Sequence, residues 1–199
     1  MLNFALIIGS TRPNRFADHT AKFITDGASA RKDFSLDVLD LRDHPLPFFN
    51  EPTPPAYFPE GRFSDPAAEA WRQKIGKYDG FIATVSEYNH GPTAVLKNAF
   101  DSAFFEWQRK PVGFIGHGGT GGVRAIEQLR GIVIELQMAP IKQEINVARD
   151  SYLGVLQGKP LDGVPHLVDA RTALFDNMVW WGNALKAART AQSAQANAA

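Results

Sequence analysis

Five short apolar runs, each separated from the next by a stretch of helical character, constrain this chain more than any other feature. The runs fall at 3–8, 35–41, 80–85, 111–116 and 139–147. Those at 3–8, 80–85 and 111–116 are apolar on both faces, as parallel strands covered by helices must be. The run at 35–41, Ser-Leu-Asp-Val-Leu-Asp-Leu, alternates, which predicts a half-exposed edge. Helical patterns cover 13–30, 66–77, 92–107, 122–136 and 170–189. Pro92 suits a first helical turn, where its missing N–H costs nothing. Strands that alternate with helices across short connections predict an α/β domain with a parallel sheet.

Five strands and five helices fit a flavodoxin-like doubly wound sheet, order 2-1-3-4-5. They fit an eight-stranded barrel poorly, since that needs about 250 residues. With 199 residues the chain has room for one such domain. The reading places that domain at 1–189 and expects the low-complexity tail 190–199 to fray. Segment 43–66 breaks the alternation. It holds seven of the thirteen prolines and five aromatics, and a loop that long and stiff is uncommon without a task. It reads equally as an ordered surface wrap and as a lid or dimer-contacting arm.

Composition removes several function classes. Lys plus Arg and Asp plus Glu both number 21, so no global field favours nucleic acid or an acidic membrane. Cysteine is absent, which excludes disulfides, thiolate catalysis and Cys-ligated metal. The first nine residues lack a basic region and read as a buried strand rather than a signal peptide. No apolar run is long enough to span a bilayer, and the cytoplasm is the default expectation.

In a sheet of this order, ligands sit beyond the carboxyl ends of the strands at the switch point. Three loops converge there. The first, Gly9-Ser10-Thr11-Arg12-Pro13-Asn14-Arg15-Phe16-Ala17, combines a turn glycine, two hydroxyls, two guanidiniums and a helix start, a set suited to phosphate. It is neither a Walker A loop nor a dinucleotide fingerprint, and an ordinary helix start with surface arginines is the bland alternative. The second, Ser86-Glu87-Tyr88-Asn89-His90-Gly91, offers an aromatic face and edge groups for a flat ring. Its bland alternative is a polar turn. The third, His117-Gly118-Gly119-Thr120-Gly121-Gly122, lets backbone approach a ligand closely, or is simply flexible.

These blocks, with Leu96-Lys-Asn-Ala-Phe-Asp101, Gly121-Gly-Val-Arg-Ala-Ile-Glu-Gln-Leu-Arg130 and Trp180-Trp181, resemble the signatures of NADPH-dependent FMN reductases. The resemblance runs over nearly the whole chain. It implies that Ser10, Arg12, Arg15, Phe16 and Ala17 hold the FMN phosphate, with Arg15 alternatively meeting the 2′-phosphate of NADPH. It implies that Glu87, Tyr88, Asn89 and His90 flank the isoalloxazine, and that His117, Gly118 and Gly119 contact it from the third loop. Three departures stand out: Ser86 replaces the usual Pro, Gly91-Pro92-Thr93-Ala94 the usual Ser-x-Pro-Gly, and His117 the usual Tyr.

The activity implied is that of an FMN-dependent NAD(P)H oxidoreductase working by ping-pong hydride transfer. FMN and NADPH or NADH are its cofactors, and a quinone, azo compound, metal oxyanion or free flavin is its small-molecule acceptor. No catalytic side-chain acid or base and no metal is required, and the assembly implied is a homodimer or tetramer. The apolar residues of the 92–107 helix, from Val95 to Trp107, are expected to meet the sheet on one face and a partner on the other. Arg124 and Glu127 are expected to pair on the surface.

A flavodoxin-type electron carrier without reductase activity is the alternative, opposed by the neutral charge balance and the arginines of the first loop. A hydrolase on this fold would want carboxylates for Mg²⁺ at the strand ends, where Asp40 and Asp43 are the nearest pair. A cofactor-free adaptor is a further reading.

Overall fold

A computed structural model of the chain describes residues 1–57 and 63–198, with side chains described as far as residue 195. Residues 58–62, including Pro59 of the proline-rich loop, and Ala199 lie outside the described set.

The five apolar runs become five parallel strands: β1 (Leu2–Ile8), β2 (Phe34–Asp40), β3 (Gly80–Ser86), β4 (Pro111–His117) and β5 (Ala139–Val147). Their spatial order is β2-β1-β3-β4-β5, as expected. Successive strand residues point to opposite faces, so Phe81 and Ile82, or Phe114 and Ile115, feed two separate cores. Phe81 and Phe114 join Trp71, Phe100 and Trp107 on one side of the sheet. Ile82 and Ile115 join Phe4, Phe23, Phe175 and Met178 on the other. The doubly apolar strands β3 and β4 are buried at every position, whereas the edge strand β2 buries only Phe34 and Leu39 and leaves the adjacent Asp37 and Val38 both exposed, half-exposed as expected but without strict alternation.

Six helices cover these faces: α1 (Ala17–Ser29), α2 (Pro66–Ile75), α3 (Ala94–Asp101), α4 (Val123–Glu135), α5 (Arg149–Leu156) and α6 (Pro165–Ala198). Five helices were expected, and α5 is the sixth; it buries only Val155 and so carries no apolar stripe in the sequence. Three of the others differ from the sequence reading for identifiable reasons, and α3 begins at Ala94 behind its Thr93 cap, so Pro92 precedes that helix instead of opening it. Helix α1 starts four residues later than residue 13, because Asn14 takes a left-handed backbone (φ 51°) that no helix propagates. Helix α3 stops at Asp101 rather than residue 107. The chain turns back there, and the Trp107 indole N–H donates to the Phe100 carbonyl at 3.1 Å. Helix α6 runs on through the low-complexity segment expected to fray, and Arg189 near its midpoint-to-end donates to Asp79 at 3.0 Å. Long as it is, no helix among the described residues is apolar enough over sufficient length to cross a membrane.

The proline-rich loop is tied down, as an ordered wrap would be. Asn98 of α3 is buried and donates to the Pro47 carbonyl at 2.8 Å while accepting from the Phe49 N–H at 2.9 Å. The apolar residues assigned to a partner face on the 92–107 segment are mostly spent inside this chain. Leu96, Ala99, Phe100, Ala103 and Trp107 are all buried in its own core.

Candidate functional site

Strand register puts the three loops at one end of the sheet. Ile8 lies beside Thr84, and Ser86 beside His117, so the chain leaves β1, β3 and β4 within a few ångströms of one another. Gly9 makes the first exit possible. A Cβ there would stand 2.3 Å from the Thr84 carbonyl oxygen, closer than any side chain tolerates. Its N–H donates to Thr84 Oγ1 at 2.9 Å, and its carbonyl accepts from Thr93 Oγ1 at 2.5 Å. Thr93 also caps α3 by accepting from the Leu96 N–H, which fixes the start of that helix against the first loop.

The two arginines of the first loop have different tasks. Arg15 is buried, and its guanidinium is fully engaged by the chain itself. It donates to Asp40 through both terminal nitrogens, to Asp18 through Nε at 2.7 Å, and to the Ser10 carbonyl. Burial works against the Asp40 charge, but the Arg15 fork and the Arg42 N–H outweigh it and hold that carboxyl below its usual range. Asp40 is therefore committed to the loop, and the carboxylate pair that a Mg²⁺-dependent hydrolase needs is not assembled. Arg12 is exposed. Its guanidinium lies 5.8 Å over the Tyr88 ring, with no carboxylate partner among the described residues. Helix α1 has no side-chain cap at Phe16. The Asp18 and His19 N–H groups at that start donate to the Arg15 and Phe16 carbonyls, so the Arg12 fork is the unspent anion-binding side chain of this loop.

In the second loop, Asn89 and His90 both sit in the left-handed region, with φ 51° and 71°. They form the two-residue turn that joins Tyr88 to Gly91 by paired backbone bonds of 2.9 and 3.0 Å. The turn lifts Tyr88 so that its hydroxyl meets Ser10 Oγ at 3.3 Å. Glu87 points the other way. It accepts from the Arg124 backbone at 3.2 Å, from Arg124 Nε at 2.6 Å and from Thr120 Oγ1 at 3.3 Å. Burial raises its pKa, but Arg124 more than offsets this and keeps the carboxylate charged. The expected pairing of Arg124 with Glu127 is thus replaced by one with Glu87. Arg124 also meets His90 Nε2 at 2.8 Å, because the start of α4 faces this loop rather than solvent.

The third loop begins at His117, which is 4% exposed. Its Nε2 lies 2.8 Å from Ser86 Oγ. Among the described residues, its Nδ1 is the buried side-chain polar atom left without a partner. Burial, then the charge of nearby His19, pushes its pKa down to about 4. Gly118 adopts φ 139°, and a Cβ at Gly119 would meet nothing within 4 Å, so this stretch borders open space.

A cleft of about 220 Å³ results, lined by Ser10, Arg12, Arg15, Phe16, Glu87, Tyr88, His117 and Gly118. Of the remaining residues predicted from sequence, Ala17 is buried as the first residue of α1, while Asn89, His90 and Gly119 are exposed beside the opening. Three lining residues were not predicted: Asn14, Ser86 and Tyr152. Tyr152 stacks on Phe16 at 4.2 Å between ring centres. It comes from α5, a helix that carries no periodic apolar signal. Larger hollows exist, including an apolar one of about 490 Å³ beneath the proline-rich loop. They lack the convergence of free cation, unpartnered imidazole and glycine backbone found at the strand ends.

The sequence profile of the NADPH-dependent FMN reductase family matches residues 2–151. An NAD(P)H-dependent FMN reductase of Nectria sp is 34% identical over 148 residues, covering 71% of this chain and 74% of that one. A 2-hydroxy-1,4-benzoquinone reductase of Burkholderia sp is 32% identical over 149 residues, covering 71% and 75%. Among solved structures, a flavoenzyme NAD(P)H:(acceptor) oxidoreductase from Paracoccus denitrificans superposes with a TM-score of 0.70. It is 20% identical, and the match covers 92% of this chain and 98% of that one. At that identity the likeness speaks for the fold.

Proposed function

Since the chain belongs to the NADPH-dependent FMN reductase family, we propose that the strand-end cleft binds FMN and that the protein is an NAD(P)H-dependent oxidoreductase of small-molecule acceptors. The observation that carries this reading is the cleft itself, where a free Arg12 guanidinium and an uncapped helix start lie beside Tyr88 and the Gly118–Gly119 backbone. The residues fit the cofactor. A phosphate matches the unspent donors of the first loop, and a flat ring matches the space that Gly119 leaves open.

Bound there, FMN would supply the redox chemistry, which on this reading is ping-pong reduction of a quinone, azo compound, metal oxyanion or free flavin at the expense of NAD(P)H. The chain's own residues hold and orient. Ser10 and Arg12 take the phosphate end, and Arg15 shapes the loop from behind through Asp40. Tyr88 would flank the ring, Glu87 and His90 keep the second loop in place through Arg124, and the Gly118 and Gly119 N–H groups would favour negative charge on it. No side chain need act as acid or base.

The same reading makes residues 1–189 one catalytic domain and the assembly a homodimer or tetramer, for which exposed Phe48, Tyr57 and Trp180 offer apolar surface. The test is direct. Purified protein mixed with FMN should retain it through gel filtration, with absorbance bands near about 370 and 450 nm. Anaerobic NADPH should bleach those bands, and a quinone should restore them. A preparation that retains FMN but is not bleached by either nicotinamide would be an electron carrier instead, and one that ignores FMN would end the proposal.

A further inference from the structure

Two of the positions at which this chain departs from the reductase pattern, Ser86 and His117, meet each other. Their side chains lie at adjacent strand ends in register, Ser86 on β3 and His117 on β4, with Oγ 2.8 Å from Nε2. Both are buried and both line the cleft. A proline at position 86 would offer no hydrogen bond at all, so the imidazole depends on the serine.

The chemistry of the pair fixes a tautomer. A hydroxyl carries one hydrogen, and the only side-chain or backbone partner of Ser86 Oγ among the described residues is His117 Nε2. If Nε2 held the ring proton, it would donate to Oγ, and the serine hydrogen would be left unspent in a buried place. If Oγ donates, Nε2 is the bare nitrogen and the proton sits on Nδ1. The second arrangement leaves one unmet group instead of two. That group is Nδ1, which is buried and unpartnered. A buried donor with no acceptor is destabilising, a burden relieved if a ligand that fills the cleft brings an acceptor to it.

We propose that Ser86 is a positioning residue: by donating to Nε2 it locks His117 as the Nδ1–H tautomer, whose Nδ1–H, covered in the ligand-free structure with Phe16 packed 5.1 Å from the ring, is uncovered by a small shift of the ring when flavin mononucleotide fills the cleft and donates to an oxygen or lone-pair nitrogen of it. The inference rests on the FMN reading above. It assigns the pair to recognition of the cofactor rather than to proton transfer.

The experiment has two arms on the full chain. First, ¹⁵N–¹H correlation spectra of the histidine rings, recorded without FMN, should show His117 protonated on Nδ1. Addition of FMN should shift that resonance, and Ser86→Ala should mix the tautomers. Second, fluorescence titration should give a dissociation constant for FMN about five- to tenfold weaker in His117→Phe, the worth of one neutral hydrogen bond. His117→Asn, whose amide N–H₂ can stand near the Nδ1 position, should stay within about twofold of wild type. An Nε2–H tautomer in the wild type would overturn the proposal. So would wild-type affinity in both His117→Phe and Ser86→Ala. If wild type itself fails to bind FMN, the cofactor reading falls and this inference with it. If wild type binds and the variants bind equally, only this inference falls.

Discussion

His117 should make this protein acid-sensitive in a defined window. Its imidazole is 4% exposed, and burial with the nearby His19 charge lowers its pKa from 6.5 to about 4. In the unfolded chain the ring takes up a proton as pH falls through about 6.5. In the native protein it does so only near 4. Between those values the unfolded state binds more protons, so stability is present at neutral pH and is lost as pH falls. The loss comes to about 2 kcal/mol between pH 7 and 5, and about 3 kcal/mol once pH reaches 4. Carboxylates and the other histidines titrate as well, so the wild-type curve alone does not isolate the effect. His117→Asn does, because asparagine has no proton to gain. Urea denaturation of both proteins at pH 7, 6 and 5 should give curves that converge on acidification, with the wild type losing about 2 kcal/mol more. Parallel curves, or a wild type that gains on the variant toward pH 5, would show that the ring is not held neutral by the fold.

Arg15→Met should destabilise by roughly 2–3 kcal/mol, since it leaves the Asp40 carboxylate without its fork; in the Asp40→Asn background the same change should cost visibly less, which a thermal double-mutant cycle measures. Arg12→Ala should leave the melting temperature of the apo protein unchanged while weakening FMN about tenfold or more, the worth of a charged phosphate contact; unaltered FMN affinity would remove Arg12 from the phosphate site. Gly9→Ala should cost roughly 2–3 kcal/mol or prevent folding, because its Cβ meets backbone, not a movable side chain. Glu87→Gln should speed amide exchange in both the 86–91 and 118–122 loops, since Arg124 is what joins them; faster exchange in only one loop would contradict that tie.

The fold was legible because its signals are local. A doubly apolar run such as Phe81–Val85 admits few interpretations, and five strands alternating with helices match the doubly wound order 2-1-3-4-5 that is observed. The site's location was legible for the same reason, since strand ends at the switch point are set by topology. What the sequence concealed were pairings across long separations. Nothing in Arg12-Pro-Asn-Arg15 tells that one guanidinium is consumed by Asp40, 25 positions away. Nothing near Glu127 tells that Arg124 turns instead to Glu87. Tyr152 was invisible because α5 is short and only Val155 of it is buried, so it leaves no stripe for periodicity to detect. The signal that was present and unread is the coincidence of Ser86 and His117, two departures that are each neutral alone and meaningful as a pair.

These long-range ties determine what the cleft can do before a ligand arrives. Each of the three loops is held by bonds to another part of the chain: the first through Arg15 and Asp40 and through Gly9 and Thr93, the second and third to each other through Glu87 and Arg124 and through Ser86 and His117. Groups spent on those ties cannot touch a ligand, and groups left over cannot easily retreat from one. Binding then orders little new backbone, so little of the interaction is consumed in fixing loops. The affinity should therefore depend on the few donors left over, Arg12, the Gly118–Gly119 backbone and His117 Nδ1, and not on closure of a lid. Amide exchange with and without FMN would separate the two designs. Protection confined to the residues lining the cleft is the outcome expected here, whereas protection spreading across 43–57 would mean that the proline-rich loop closes over the ligand and that the cleft is completed only on binding.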